Sequence, residues 1–281
     1  MTKIEAVQMA SGAQVAANLM KAGELIHQAA NKGADLVILP ENFALMGKQD
    51  KDHLQIAEYA GQGVIQDFLV KQAKQHKIWI LAGAIPLRLE DHPTAKTHQI
   101  PEKVSTSALL FNAEGEQVVR YDKIHLFDVE LPNGDVYAES DTTQAGTDSV
   151  VVDTPFGKLG IAICYDLRFP ELFREMSAEG AQIFAIPAAF TDTTGKAHWE
   201  VLLRARAIEN LSYVVAAGQG GYHVNGKATH GHSMIIDYWG NVREVLEKGE
   251  GVIVSTIDLN TLESVRKNFP VLEHRELCLA L

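Results

Sequence analysis

The sequence predicts a mixed α/β fold. Three observations carry that prediction. Short β-branched runs alternate with longer helical patterns from the amino terminus onward, strand candidates outnumber helical ones, and several strand candidates follow one another with no helix between them. A strict β-α-β alternation would not leave such strand pairs. Two sheets with helices on the outside accommodate them.

The opening reads as strand, helix, strand: "IEAVQMA", then "QVAANLMKAGELIHQAANKG", then "ADLVILP". Further strands are expected at "IWILAGAI", "STSALLFN", "EQVVRYD", "SVVVDT", "KLGIAIC", "QIFAIPA", "SYVVAAG", "HSMIIDYWG" and "GVIVSTIDL". Apolar residues at helical spacing mark "VIQDFLVKQAKQHK", "PELFREMSAEG", "KAHWEVLLRARAIEN" and "LNTLESVRKN". Pro170 suits the first turn of its helix, because that position needs no backbone donor. The stretch "RLEDHPTAKTHQIPEK", 88–103, has proline, charge and no periodicity, and is expected as an exposed excursion between strands. No repeat or interdomain linker is visible, so one domain over 1–281 is expected.

Composition limits the function classes. The chain is 46% hydrophobic and 22% charged, as expected of a soluble globular protein, and "IWILAGAIPL" is far too short to span a bilayer. The start lacks a basic segment followed by a long apolar one, which leads to the expectation of a cytoplasmic protein. The net charge of -11 and the scattered basic residues argue against nucleic acid, which would need a positive stripe. An anionic substrate would have to be held by a few local Arg or Lys side chains. The only two cysteines, Cys164 and Cys278, sit in dissimilar settings and do not read as a disulfide.

Chemistry-bearing side chains stand where three strands are expected to end: Glu41 after "ADLVILP", Lys123 after "EQVVRYD" and Cys164 closing "KLGIAIC". A carboxylate base, an ammonium and a thiol suffice for nucleophilic acyl transfer, the cation stabilising the oxyanion. Taken singly, each has a plainer reading: a buried small side chain for Cys164, a turn residue for Glu41, a solvated loop lysine for Lys123.

Their contexts go further. "LPENF", "YDKIHLFD" and "CYDLRFPEL" resemble, in order and separation, the three signature segments of the nitrilase or carbon-nitrogen hydrolase superfamily, and the similarity runs from "AVQM" to "TIDLNTLESVR". The resemblance implies a compact single-domain αββα sandwich, no cofactor or metal, a homodimer, and a catalytic set of Glu41, Lys123 and Cys164. It also implies a second glutamate, placed at Glu139 in "YAESDTTQAG", with Glu130 as the nearby alternative. Tyr165 would supply a backbone N–H to the oxyanion. Asp166 would pair with Arg168 or cap the helix starting near Pro170, with the salt bridge favoured, or else Arg168 would grip a substrate carboxylate.

"TTGKAHWEVLLRARAIEN" resembles the Nit branch, which holds ω-amidases and amidases acting on deaminated glutathione, and "GQGGYHVNGKATHGHSMIIDYWG" is similar to the latter. The implied substrate is a small amide bearing a 2-oxo acid, deaminated glutathione first, giving 2-oxoglutarate and cysteinylglycine through a thioester. 2-Oxoglutaramate and N-carbamoyl amides are the enzymatic alternatives, and a non-catalytic scaffold retaining the fold is the alternative of another class. Phe127, Phe190, Thr191, Thr194 and Tyr222 are candidates for lining the room a peptide leaving group needs. "GYHVNGKA" fits phosphate-loop spacing up to Lys227, but Ala228 stands where a hydroxyl is required, so it reads as a glycine-rich turn. His230 and His232 lack a third metal ligand at recognised spacing.

Overall fold

The structure, a computed structural model, describes residues 2–49, 51–89, 100–132 and 134–276. Cys278 and positions 90–99 of the expected excursion lie outside the described residues.

In chain order the first half comprises β1 (Thr2–Gln8), α1 (Val15–Asn31), β2 (Leu36–Ile38), α2 (Asp52–Gln55), α3 (Val64–His76), β3 (Trp79–Arg88), β4 (Val104–Phe111) and β5 (Gln117–Asp122). A small ribbon follows, β6 (Asp128–Glu130) with β7 (Val136–Ala138). The second half runs β8 (Val151–Thr154), β9 (Gly157–Ile161), α4 (Pro170–Ala178), β10 (Ile183–Ala188), α5 (Asp192–Asn210) and β11 (Tyr213–Gly218). It then makes a hairpin of β12 (Gly220–Tyr222) and β13 (Ala228–His230), and ends with β14 (Ser233–Ile236), β15 (Val242–Leu246), β16 (Gly251–Ile257) and α6 (Leu259–Asn268).

Two six-stranded sheets form, ordered β16-β1-β2-β3-β4-β5 and β15-β14-β11-β10-β9-β8. Side chains alternate across each strand. Ile4 and Ala6 of β1 therefore join a core shared with Ile161, Ile183, Ala185 and Val215 of the other sheet. Val7 packs in the opposite direction, with Leu19, Ala22, Ile26 and Ala29 of α1 and Leu69 and Ala73 of α3. The α1 residues recur at helical spacing, so one helical stripe covers the outer sheet face. Phe173 and Met176 of α4 and Leu203 and Ala207 of α5 belong to the core around the second sheet. The result is the expected αββα sandwich. Each fully buried Leu, Ile, Val or Phe contributes on the order of 1.5–3 kcal/mol.

The departures from the sequence reading are local. The helix expected from Lys196 begins at Asp192, where Lys196 Nζ lies 2.6 Å from Asp192 Oδ2 one turn later. Gly195 disguised this start as loop. The glycine is required because a Cβ there would stand 2.3 Å from the His230 side chain. The segment "HSMIIDYWG" is not one strand: β14 stops at Ile236, and Asp237 Oδ1 accepts the backbone N–H groups of Trp239 and Asn241 at 2.9 and 3.0 Å, turning the chain into β15. β15 carries charge and lies exposed at a sheet edge, so no alternation announced it. The glycine-rich turn proves to be the link of the β12-β13 hairpin.

Candidate active site

Glu41, Lys123 and Cys164, distant in sequence, meet at one cavity of about 220 Å³ between the ends of the two sheets, and Glu139 joins them. Each is delivered by the backbone just beyond a strand. After β2, Leu39 and Pro40 pass so close to Gly83 that a Cβ there would come within 2.0 Å of the Pro40 carbonyl oxygen. Only glycine permits that crossing, which brings Glu41 into a bridge with Ala84. Gln219 then fixes the Glu41 backbone, donating from Nε2 to its carbonyl at 3.1 Å and to Ser11 Oγ at 2.8 Å. Lys123 follows β5 directly, its N–H donating to the Thr106 carbonyl at 2.9 Å.

Cys164 does not end a strand. β9 stops at Ile161, and Cys164 opens a 3-10 turn, Cys164–Arg168, with φ +48°. That left-handed conformation costs a non-glycine residue roughly 1–2 kcal/mol. The turn is held by Asp166, which is fully buried. Its Oδ2 accepts the Ile163 N–H at 2.8 Å and the Tyr121 hydroxyl at 2.7 Å. Its Oδ1 accepts from the His125 backbone N–H at 3.0 Å and the His125 ring Nδ1 at 2.8 Å. Tyr121 and His125 flank Lys123, so Asp166 ties the cysteine's turn to the lysine's segment.

The favoured Asp166–Arg168 salt bridge is therefore absent, and Asp166 caps its own turn rather than the helix at Pro170. In a 3-10 turn of about three residues, positions two apart point to different sides. Arg168 instead donates from Nη1 to His198 Nδ1 at 3.2 Å, with its guanidinium 4.9 Å from the Phe190 ring centroid and 5.8 Å from that of Tyr165. Among the described residues no carboxylate lies within ion-pair distance of it.

At the cavity floor Lys123 Nζ donates to Glu41 Oε1 at 3.1 Å and to Glu139 Oε1 and Oε2 at 3.0 and 2.8 Å. Glu41 Oε2 accepts the Ala189 N–H at 2.8 Å, and Glu139 Oε2 the Phe127 N–H at 2.7 Å. Of the two glutamates considered for the set, Glu139 is the one that reaches Lys123. Glu130 lies exposed on β6, away from the cavity. Burial alone would lower the Lys123 pKa, but the Glu139 and Glu41 carboxylates and the Cys164 sulfur hold it well above the ordinary lysine value. Burial raises Glu139 despite the Lys123 charge beside it. Burial also pushes the Cys164 thiol well up, and the Glu41 charge adds to this against Lys123 and the Ala189 N–H. The lysine is a fixed cation, and the thiol keeps its proton until something takes it.

Of the wall candidates, Tyr165, Arg168, Phe127, Phe190, Thr191 and Thr194 all line the cavity. Tyr222 does not. It is 89% exposed on β12 and is not among the residues that line the cavity, whereas Ala228 and Thr229 of β13 are. The sequence reading missed Tyr137 and Lys227 of the wall. It also missed the bracing residues Ser11, Tyr121, His125 and Gln219, of which Tyr121 and His125 lie inside the quoted "YDKIHLFD". His230 and His232 stack with ring centroids 4.2 Å apart, outside this cavity, and no group of three possible metal-ligating side chains occurs among the described residues.

A family model described as carbon-nitrogen hydrolase matches residues 3–267. A Synechocystis protein named deaminated glutathione amidase is 42% identical over 272 residues, 96% of each chain. A Homo sapiens protein of the same name is 39% identical over 259 residues, 92% of this chain and 77% of that one. Among solved structures, the C. elegans NitFhit protein superposes with a TM-score of 0.86 at 36% identity, covering 98% of this chain and 65% of that one. Saccharomyces cerevisiae Nit3, described as a member of branch 10 of the nitrilase superfamily, gives 0.84 at 30% identity, covering 98% and 97%.

Proposed function

Because the chain belongs to the carbon-nitrogen hydrolase family and is a hydrolase of amides, we propose that Cys164 is its nucleophile and that its substrate is an amide of 2-oxoglutarate, deaminated glutathione before 2-oxoglutaramate. The observation that carries the reading is a buried free thiol gathered at one cavity with Glu41 and with a buried lysine ion-paired to two carboxylates.

Glu41 takes the thiol proton as sulfur attacks the amide carbon, which removes the need for a standing thiolate. Lys123, with the backbone N–H of Tyr165, stabilises the oxyanion of the tetrahedral intermediate. Each such donor contributes about 3 to 4 kcal/mol. Glu41 returns the proton to the departing nitrogen, leaving a thioester, and then activates the water that hydrolyses it. Glu139 fixes the lysine through both carboxylate oxygens.

Arg168 supports the 2-oxo acid. A half-buried guanidinium at the cavity wall, between aromatic rings and without a carboxylate partner among the described residues, suits a substrate carboxylate. Parallel assays of 2-oxoglutarate release from deaminated glutathione and from 2-oxoglutaramate test the reading. Preference for the first is expected, preference for the second makes the protein an ω-amidase, and turnover of neither overturns the substrate assignment.

The reading takes 1–281 as one catalytic domain that uses no cofactor, metal, nucleic acid or membrane. It places the protein in the cytoplasm, where reducing conditions protect a nucleophilic thiol. A homodimer fits an exposed apolar patch in which Trp239, 56% exposed, stacks edge-on against Phe269, with Ile208 of α5 beside Gly240. Sedimentation of the protein and of Trp239→Glu tests it, with a dimer expected for the first and a monomer for the second.

A further inference from the structure

One wall of the cavity is a row of three aromatic rings with a cation beyond each end. Tyr165 and Phe127 have centroids 5.0 Å apart, and Phe127 and Tyr137 4.9 Å apart. Beyond Tyr165 stands Arg168, at 5.8 Å. Beyond Tyr137 stands Lys227, whose Nζ lies 4.0 Å from the ring centroid. Arg168 is bound up with the 2-oxo acid end in the reading above, while Lys227 has no role in it.

Lys227 is not a side chain on a loose loop. It precedes β13 in a hairpin attached to the site along both strands. Gly220 donates its N–H to the Met9 carbonyl at 2.8 Å, and His230 to the Phe190 carbonyl at 2.9 Å. The buried His223 bridges the Ser11 carbonyl, 3.0 Å from Nδ1, and Thr229 Oγ1, 2.7 Å from Nε2. Thr229 in turn bridges Thr191 at the start of α5. These contacts fix the hairpin over the cavity, and the Tyr137 face fixes where the ammonium sits.

We infer that Lys227, seated on Tyr137, receives a carboxylate on the leaving group, so that the pocket reads an amide substrate as a dianion with one negative charge at each end. The inference rests on the proposed 2-oxoglutaryl chemistry and adds the determinant for the other half of the molecule. Local cations matter more here because the chain's net charge is -11 and its overall field disfavours a dianion. 2-Oxoglutaramate, whose leaving group is ammonia, has nothing to offer Lys227.

The test compares wild type, Lys227→Met and Lys227→Arg on three substrates: 2-oxoglutaramyl-cysteinylglycine, the same compound ending in glycinamide, and 2-oxoglutaramate. For Lys227→Met, KM for the free acid is expected to rise about 10- to 100-fold, the range of a charge-assisted contact. Its kcat should stay within about twofold, KM for the other two substrates should not move, and Lys227→Arg should recover most of the loss. Equal changes for the acid and the glycinamide, or no change for either, overturn the inference while leaving the 2-oxoglutaryl reading intact. Failure of wild type to turn over any of the three overturns both.

Discussion

Glutamate is buried both at the cavity floor and within the first sheet, and the two places treat it differently. At the cavity floor, Glu41 and Glu139 share the Lys123 ammonium and each accepts a backbone N–H. In the middle of the first sheet, Glu5 of β1 is fully buried between Val254 and Val37 of the adjoining strands, and neither of its oxygens has a hydrogen-bond partner among the described residues. Burial pushes Glu5 up to about 7, against the pull of Lys32 and Lys3. Burial therefore produces an unusual carboxyl group in both places. What distinguishes the site is the cation and the donors arranged around it, which hold charge in a dry space where it can act on a neighbouring thiol.

The sharpest way to break this contrast is to remove the group that the arrangement serves. Cys164→Ala should abolish turnover while leaving the melting temperature within a few degrees, read by assay and circular dichroism. Retained activity would remove the chemical meaning of the cluster. Lys123→Met removes the cation and makes the site carboxyls resemble Glu5. It should cost at least about a hundredfold in kcat by the oxyanion argument. Removing one partner of a buried ion pair also destabilises by roughly 3–5 kcal/mol, and the loss should grow as pH rises and the remaining carboxyls are forced to ionise. A kcat loss below tenfold would contradict the role.

Glu5→Gln tests the other side. Below pH 4.5, Glu5 is protonated in both folded and unfolded chains. Between 4.5 and about 7 the unfolded chain releases its proton and the folded one keeps it, so stability is lost across that window and the loss is constant above it. Wild type and Glu5→Gln should therefore melt alike near pH 4. At pH 8 the variant should be more stable by on the order of 3 kcal/mol, with unchanged kcat. Equal stabilities at both pH values would show that Glu5 is not the strained acid described. The smallest effect belongs to Arg168→Lys: about tenfold in KM for amides bearing the 2-oxo acid, and none for neutral amides. Equal effects on both would remove Arg168 from recognition.

How much of this was legible follows from which forces act locally. The layers and most strands were visible because alternation and helical spacing are read along the chain. Glu41, Lys123 and Cys164 were visible because each sits in a quoted segment of unusual composition. Glu139 meets Lys123 and Glu130 does not, but nothing in the sequence distinguished the two physically. The distinction arises when the 3-10 turn at Glu139–Asp141 brings that carboxylate to Lys123. The Asp166–Arg168 pair failed because proximity in sequence says little about direction in a tight turn. Tyr222 failed because the fold leaves its side chain exposed and outside the cavity lining, and Lys227 was passed over because the hairpin's place above the cavity is purely tertiary. Glu5 read as an ordinary strand residue, and only its central place in the sheet, between β16 and β2, shows it as buried.

The central claim is that two different amides pass through one acyl-enzyme on Cys164. Adding methanol during turnover tests it, because methanol competes with water for the thioester and yields the monomethyl ester of 2-oxoglutarate. The account predicts the same ratio of methyl ester to 2-oxoglutarate from 2-oxoglutaramyl-cysteinylglycine and from 2-oxoglutaramate, since the leaving group has gone before the competition begins. Ratios that differ between the two amides would contradict it.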